Sequence, residues 1–428
     1  MIEYLFLGLI LILPLQFALN LGDNADLVII RVLIPIIFLL WLVKSLARKQ
    51  LWIPSKPQTW LIASFIFLSS LSLYIGRDAS AGFRKLLYFL TIFPVFFVAA
   101  DICRGQKWRE KATAAIVISG ALGAAIGLSQ FLLPFFIGIG KAVKIWENAA
   151  PYFLGNSFGK VVAANSSWLV NIGGKTQMRA FGLFPDPHNF AFFTSLCLFS
   201  GLGYFFSCKK NASKIWISAA SLLMILAIGL SFSRGAYLGL LAGVLFFALI
   251  FFKKSGVLGK ALLAAGAILV LMLIFNSNII SQRLASSFNS KEGSNAERYK
   301  NWVQATEIIR DHPLGGVGLG NYARMIDPTA ADRSSIYAHN LFLDIAAETG
   351  ILNSTIFLLL ILVAIWRNVK SGGMLNAGIA SGLVAFSVHS IFDTALYSPQ
   401  VLTMLLIILA LGVSSFSEKT GIPAEAQN

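Results

Sequence analysis

Charge is what this chain has least of: only 12% of its 428 residues are Asp, Glu, Lys or Arg, about half the share carried by a water-soluble domain. Hydrophobic residues make up 57% and recur in runs from end to end, more than a single aqueous core could bury. Cysteine is scarce as well. Cys103, Cys197 and Cys208 lie in or beside apolar segments without metal-ligand spacing, which points away from a disulfide framework or a zinc site and leaves packing thiols. The N-terminus has no positive leader region, and no small-residue cleavage site follows its apolar stretch, so the first segment is expected to remain as a span. No repeat at a fixed period occurs, which argues against an inverted-repeat transporter.

What the chain does have is apolar runs long enough to cross a hydrocarbon layer of roughly 30 Å. About twelve are expected, at 4–19, 27–47, 59–75, 81–100, 112–137, 187–206, 215–232, 235–252, 257–276, 340–365, 375–393 and 399–416. The expected fold is therefore all-α, a single integral membrane domain over 1–428 with multiple passes.

The 34 basic residues outnumber the 19 acidic ones, a net +15 that in a soluble protein would raise the question of nucleic acid. Their placement answers differently. Lys44, Arg48, Lys49 and Lys56 follow the second span, Arg104, Lys107, Arg109 and Lys111 the fourth, and Lys209, Lys210 and Lys214 the sixth. Lys253, Lys254 and Lys260 follow the eighth, and Arg367 and Lys370 the tenth. With Lys419 in the tail these are half of the basic residues, all on alternate connections; the short intervening ones include the acidic Asp23 to Asp26 and a stretch near Pro399 without a basic residue. By the positive-inside rule the basic faces and both termini are cytoplasmic, and no nucleic-acid partner is needed.

Two long segments then fall on the outer face, 138–186 and 277–339. In the second, Tyr299, Trp302, Val303 and Ile309 recur at near-helical spacing, as in an amphipathic helix lying along the membrane surface. Beyond His312 and Pro313, the cluster Gly315, Gly316, Gly318 and Gly320 reads as a tight turn, since no strand precedes it to make a phosphate cradle.

Charge at a membrane boundary is costly, so each such residue is a candidate for function. The strongest cluster is His339-Asn340 running through Asp344 to Glu348-Thr349-Gly350. If a helix begins near His339, then His339, Leu343, Ala346 and Gly350 share one face. A neutral imidazole there suits a general base; the alternative is a helix cap or a headgroup contact. Asp344 and Glu348 lie deeper and must face the protein, as partners for arginine or backbone more often than as catalysts. A second feature is Met178 to Asn189, whose Arg179 is a permanent cation matched to phosphate oxygens or else simply solvated. The third is Ser231-Phe232-Ser233-Arg234-Gly235, a very short outer turn whose Arg234 either serves a substrate or snorkels to headgroups. Gly235, Gly239 and Gly243 then repeat every fourth residue and admit a close neighbouring helix. Arg77, Arg84 and Lys85 add cations on the outer edge, an arrangement that an anionic substrate such as a diphosphate would explain. Arg31 reads as a structural ion-pair partner, and His389 with Asp393 as an i, i+4 pair making a helix-to-helix hydrogen bond rather than catalysing.

These motifs resemble the O-antigen ligase and O-antigen polymerase superfamily, membrane glycosyltransferases of the outer face of the bacterial cytoplasmic membrane. The resemblance is most specific in His339-Asn340 followed by nine residues and Gly350; three positions on, where ligases carry Gly, Thr or Tyr, stands Asn353. Arg179 and Arg234 match the family's two outer-face arginines by local context, and Pro313 to Tyr322 is similar to the segment before the histidine. The resemblance implies transfer of a glycan from undecaprenyl diphosphate to an acceptor hydroxyl on a glycan or on lipid A core, among membrane lipids and without nucleotide sugar, metal or other cofactor. Neither outer segment contains an Asp-x-Asp pair, in keeping with the last point. His339 would take the acceptor's proton and Arg179 and Arg234 would clamp the diphosphate, supported by Asn340, Arg84, Lys85, Asp344 and Glu348, with inversion at the anomeric carbon. En bloc ligation, chain extension by a polymerase, and transport of an anion or lipid-linked sugar remain as readings. The first two share every residue named; the third needs a polar path that the sparse interior charges do not furnish.

Overall fold

The computed structural model describes residues 1–20, 26–164, 167–172, 174–252, 293–330 and 336–414. The chain is helical throughout apart from two short hairpins. In order come α1 (Ile2–Ile12), strands β1 (Ala18–Asn20) and β2 (Asp26–Val28), α2 (Ile30–Ala47), α3 (Pro57–Leu71), α4 (Ala79–Ile92), α5 (Val95–Ile102) and α6 (Gln106–Ile137). The first outer segment folds as α7 (Ile139–Leu154), α8 (Asn156–Ala164) and the antiparallel pair β3 (Leu169–Ile172) and β4 (Lys175–Met178). Then follow α9 (Pro187–Ser207), α10 (Asn211–Leu230), α11 (Arg234–Phe252), α12 (Gly293–Asp311), α13 (Tyr322–Ile326), α14 (Leu341–Thr349), α15 (Ile351–Ser371), α16 (Met374–His389) and α17 (Pro399–Ser414).

Among the described residues, seven helices are long and apolar enough to cross a membrane: Ile30–Ala47, Ala79–Ile102, Gln106–Ile137, Pro187–Ser207, Asn211–Leu230, Arg234–Phe251 and Ile351–Ser371. Ile2–Ile12, Met374–His389 and Pro399–Val413 are apolar but shorter. The expected ninth span, 257–276, lies outside the described residues, as do 277–292 and 331–335 of the second outer segment and the tail with Lys419. α1 stops ahead of Pro14, which has no N–H to continue a helix, and the chain turns into the β1–β2 hairpin.

The expected tenth span is not one helix. Gly350 sits at φ +89°, and a Cβ there would lie 2.0 Å from the Leu314 carbonyl oxygen, so the chain breaks between α14 and α15. The glycine cluster explains why. Gly316, Gly318 and Gly320 also take positive φ, and the turn lies flush on α14, with Val317 N–H donating to Ala347 O (2.8 Å) and Gly318 N–H to Glu348 O (2.9 Å). The loop therefore closes the carbonyl end of a half-helix.

α9 runs through the centre, burying Phe190, Phe192, Phe193 and Phe199, and packs on α6, α10 and α16. α17 is buried on all sides from Val401 to Val413, as befits a short helix apolar all round. The glycine stripe of α11 meets α16: a Cβ on Gly239 would be 2.6 Å from Ala385 O, and one on Gly243 2.9 Å from Ser381 O. Asp26 of the β1–β2 hairpin accepts from Ser157 N–H (3.3 Å) and Phe158 N–H (2.9 Å), capping the first turn of α8.

Candidate functional site

Five pieces of chain meet beyond the helix ends: the lead into α9, the 231–233 turn between α10 and α11, the α12 helix, the segment before α14, and the connection between α16 and α17. Each is fixed locally. Asp186 caps α9, accepting from His188 N–H and Asn189 N–H at 2.8 Å each. Gln130 of α6 holds Gly182 from both sides, donating to its carbonyl and accepting its N–H, each at 2.7 Å. Trp168 stacks on Phe181 at 4.7 Å, and Ala180 N–H donates to Leu230 O (2.9 Å), tying this lead to the end of α10.

His339 is not on the helix where periodicity put it. It precedes the cap residue Asn340 and lies at φ +53°, a region that bulky side chains rarely enter. Asn340, not the histidine, caps α14, accepting from Phe342 N–H and Leu343 N–H at 3.1 and 3.2 Å. Asp344 reaches back to accept from Ala338 N–H (2.7 Å) and from the Thr394 hydroxyl, while Leu341 N–H donates to Ser390 O (2.9 Å). The strained turn is thus pinned on both sides. Of the three non-glycine residues at positive φ among those described, the second, Phe232, forms the other side of the site.

Asp393 is the common neighbour. One carboxylate oxygen lies 3.2 Å from His339 Nδ1; the other lies 3.1 Å from His188 Nδ1 and 3.7 Å from Arg298 Nη2. His188 Nδ1 is also 2.9 Å from Ser233 Oγ, and Ser233 Oγ 3.3 Å from His389 Nε2, whose ring stacks on Phe192 at 3.6 Å. His389 and Asp393 therefore send their contacts to other elements, because α16 ends at His389 and the chain turns before Asp393. Burial opposes ionisation of Asp393, yet His188, His339 and Arg298 hold its carboxyl well below the usual range. For His339, burial opposes the charged form, but the hydrogen bond and charge of Asp393 outweigh it and raise its pKa. Burial, and after it the charge of Asp393, push the Asp186 carboxyl up.

Arg179 and Arg234 are both buried. Arg179 Nε donates to Ser231 O (2.7 Å) and Nη1 to Ser167 O (3.1 Å), so this guanidinium braces the turn that carries Ser233 and Arg234. His339 and Arg179 are thereby joined through a continuous set of contacts, His339 to Asp393, to His188, to Ser233, to the turn that Arg179 holds, and Arg234 follows Ser233 in the chain. Lys85 and Glu348 lie apart from that set. Their ion pair (2.6 Å) joins α4 to α14, with Lys85 Nζ 3.6 Å over the Tyr397 ring; Arg84 is exposed and donates to Ser80 Oγ (3.1 Å). Arg31 donates to Thr91 Oγ1 (3.2 Å) and lies 5.5 Å from the Tyr88 ring.

Sequence reasoning passed over three neighbours of His339: Asp393, His188 and Arg298. Asp393 carried a signal, an acid at the membrane boundary, but helical spacing assigned it to His389. Arg298 sat among the mixed charges of the second outer segment, where nothing local distinguishes it from a solvated residue.

A family model for O-antigen ligase, Wzy_C, matches residues 219–358. That stretch contains Arg234, Arg298, His339 and Gly350 and leaves Arg179, His188 and Asp393 outside it. No curated protein matches the chain. Residues 219–358, which span the 231–233 turn and the histidine half-helix and make up about a third of the chain, are thus similar to the O-antigen ligase family.

Proposed function

We propose that the protein transfers a glycan from a polyprenyl diphosphate, undecaprenyl diphosphate in bacteria, to an acceptor hydroxyl at the outer face of the cytoplasmic membrane. The observation that carries the reading is the His339–Asp393 contact at 3.2 Å, with Arg298 3.7 Å from the same carboxylate. With Nδ1–H donated to the carboxylate, Nε2 is the basic nitrogen. It takes the proton of the acceptor hydroxyl as that oxygen bonds to the anomeric carbon; the bond from carbon to diphosphate breaks, and the diphosphate leaves as an anion. Attack opposite the leaving group inverts the centre. Arg234 and Arg298 are cations suited to the charge that grows on the leaving oxygens, and Arg179 holds Arg234's turn in place. One preorganised donor of this kind is commonly worth about 3 kcal/mol, near a hundredfold in rate. No step calls for a metal.

The test is His339→Ala, and separately Arg234→Ala and Arg179→Ala, in cells carrying a labelled lipid-linked glycan. Folded variants are expected to accumulate the donor; normal product from any of them removes that residue from the mechanism. The length of the accumulating chain separates the two enzymatic readings. Long lipid-linked chains left untransferred indicate en bloc ligation, and single units left on the carrier indicate a polymerase.

A further inference from the structure

A hollow of about 350 Å³ opens beside the histidine cluster. It lies among α2, α4, α13, the segment before α14 and the start of α17. Its walls carry four cations, Arg31, Arg84, Lys85 and Arg324, against two carboxylates, Asp26 and Glu348, with three tyrosines, Tyr88, Tyr337 and Tyr397. These charges have partners: Asp26 caps α8, Glu348 binds Lys85 and accepts from the Tyr397 hydroxyl at 3.1 Å, and Arg324 is ion-paired with Asp78. Four lining cations against two lining carboxylates leave the hollow net positive, and its size is that of a small-ligand site.

Its position matters as much as its charge. Tyr337 and Tyr397 stack at 5.9 Å to form one wall. Tyr337 is two residues before His339, and Tyr397 is four after Asp393, so the same two loops that build the histidine–carboxylate pair also build this wall. Tyrosine faces suit sugar rings, and guanidinium forks suit phosphate or carboxylate oxygens. A two-substrate transfer needs a second subsite close to the base.

We propose that this hollow is the acceptor subsite and that it recognises an anionic sugar, one bearing a phosphate or carboxylate. The assignment rests on the glycosyl-transfer reading of the histidine site.

The probes are glucose 6-phosphate and glucuronate, with glucose and inorganic phosphate as controls, titrated onto the full-length protein in nanodiscs of neutral lipid. Either anionic sugar is expected to bind at least tenfold more tightly than glucose or inorganic phosphate. Arg84→Gln and Arg324→Gln are each expected to weaken that binding about tenfold, and His339→Ala to leave it unchanged. Should a variant misfold, Tyr337→Phe and Tyr337→Ala provide a second series, the alanine alone losing affinity. Equal binding of glucose, or loss of binding in His339→Ala with none in Arg84→Gln, overturns the proposal. So does competition by phosphatidylglycerol in the disc, which assigns the cations to a lipid headgroup. In transfer assays Arg84→Gln is expected to raise the acceptor KM about tenfold with kcat and donor KM kept. Sugar binding that persists when wild-type protein shows no transfer refutes the catalytic reading and leaves a sugar-binding site.

Discussion

An imidazole that donates Nδ1–H to a buried carboxylate is fixed in one tautomer and holds its proton more tightly than a free one. In His339 this raises the pH at which the neutral, basic ring appears. The activity of the wild-type protein is accordingly expected to rise with pH through a midpoint above that of ordinary histidine. Asp393→Asn removes the raising charge, so that acid limb moves to lower pH while the plateau falls by ten- to a hundredfold as tautomer control is lost; a pH–rate profile of both proteins checks it. The pair's contribution to folding follows the same signs. It fades as pH climbs through the raised pKa of His339, and again as pH drops through the depressed pKa of Asp393. His339 was legible in the sequence because a lone polar pair opens an apolar run. Asp393 was not, since the turn after α16 that swings it away from His389 leaves no mark in residue spacing.

Glycines decide how the elements meet, and here legibility was uneven. The stripe at Gly235, Gly239 and Gly243 announced a close helix contact, and α16 provides it. Gly350 stood inside the expected tenth span, 340–365, and its positive φ and the Leu314 carbonyl against it reveal the break between α14 and α15. Gly350→Ala adds a clash on top of a backbone strain of about 1 kcal/mol or more, and is expected to lower the thermal midpoint and the yield of folded protein. Gly239→Leu is expected to do the same by prising α11 from α16, whereas Gly140→Ala, with open space around it, should leave the midpoint unmoved. The Lys85–Glu348 pair that joins α4 to α14 is largely buried. Lys85→Met should therefore destabilise the protein by about 3 kcal/mol, and pairing it with Glu348→Gln should recover part of that loss. Denaturation of the single and double variants measures the difference.

Across the whole chain, the scarcity of charge and the alternation of basic connections gave the all-helical membrane fold before any coordinates. They overstated its regularity, because a count of apolar runs cannot separate full spans from α1, α14 or α17, which are short or broken. The orientation can be read directly by thiol labelling. With Cys208 replaced by serine and Cys103 and Cys197 buried, Lys144→Cys is expected to react with an impermeant maleimide in intact cells, and Lys210→Cys only after permeabilisation. The reverse pattern would put the histidine site on the wrong side for a lipid-linked donor. More direct still is a single-turnover assay with purified protein and a labelled glycan on polyprenyl diphosphate. His339→Ala is predicted to bind that donor as the wild type does while transfer falls by a hundredfold or more. Transfer at the wild-type rate, with the imidazole gone, would contradict the account.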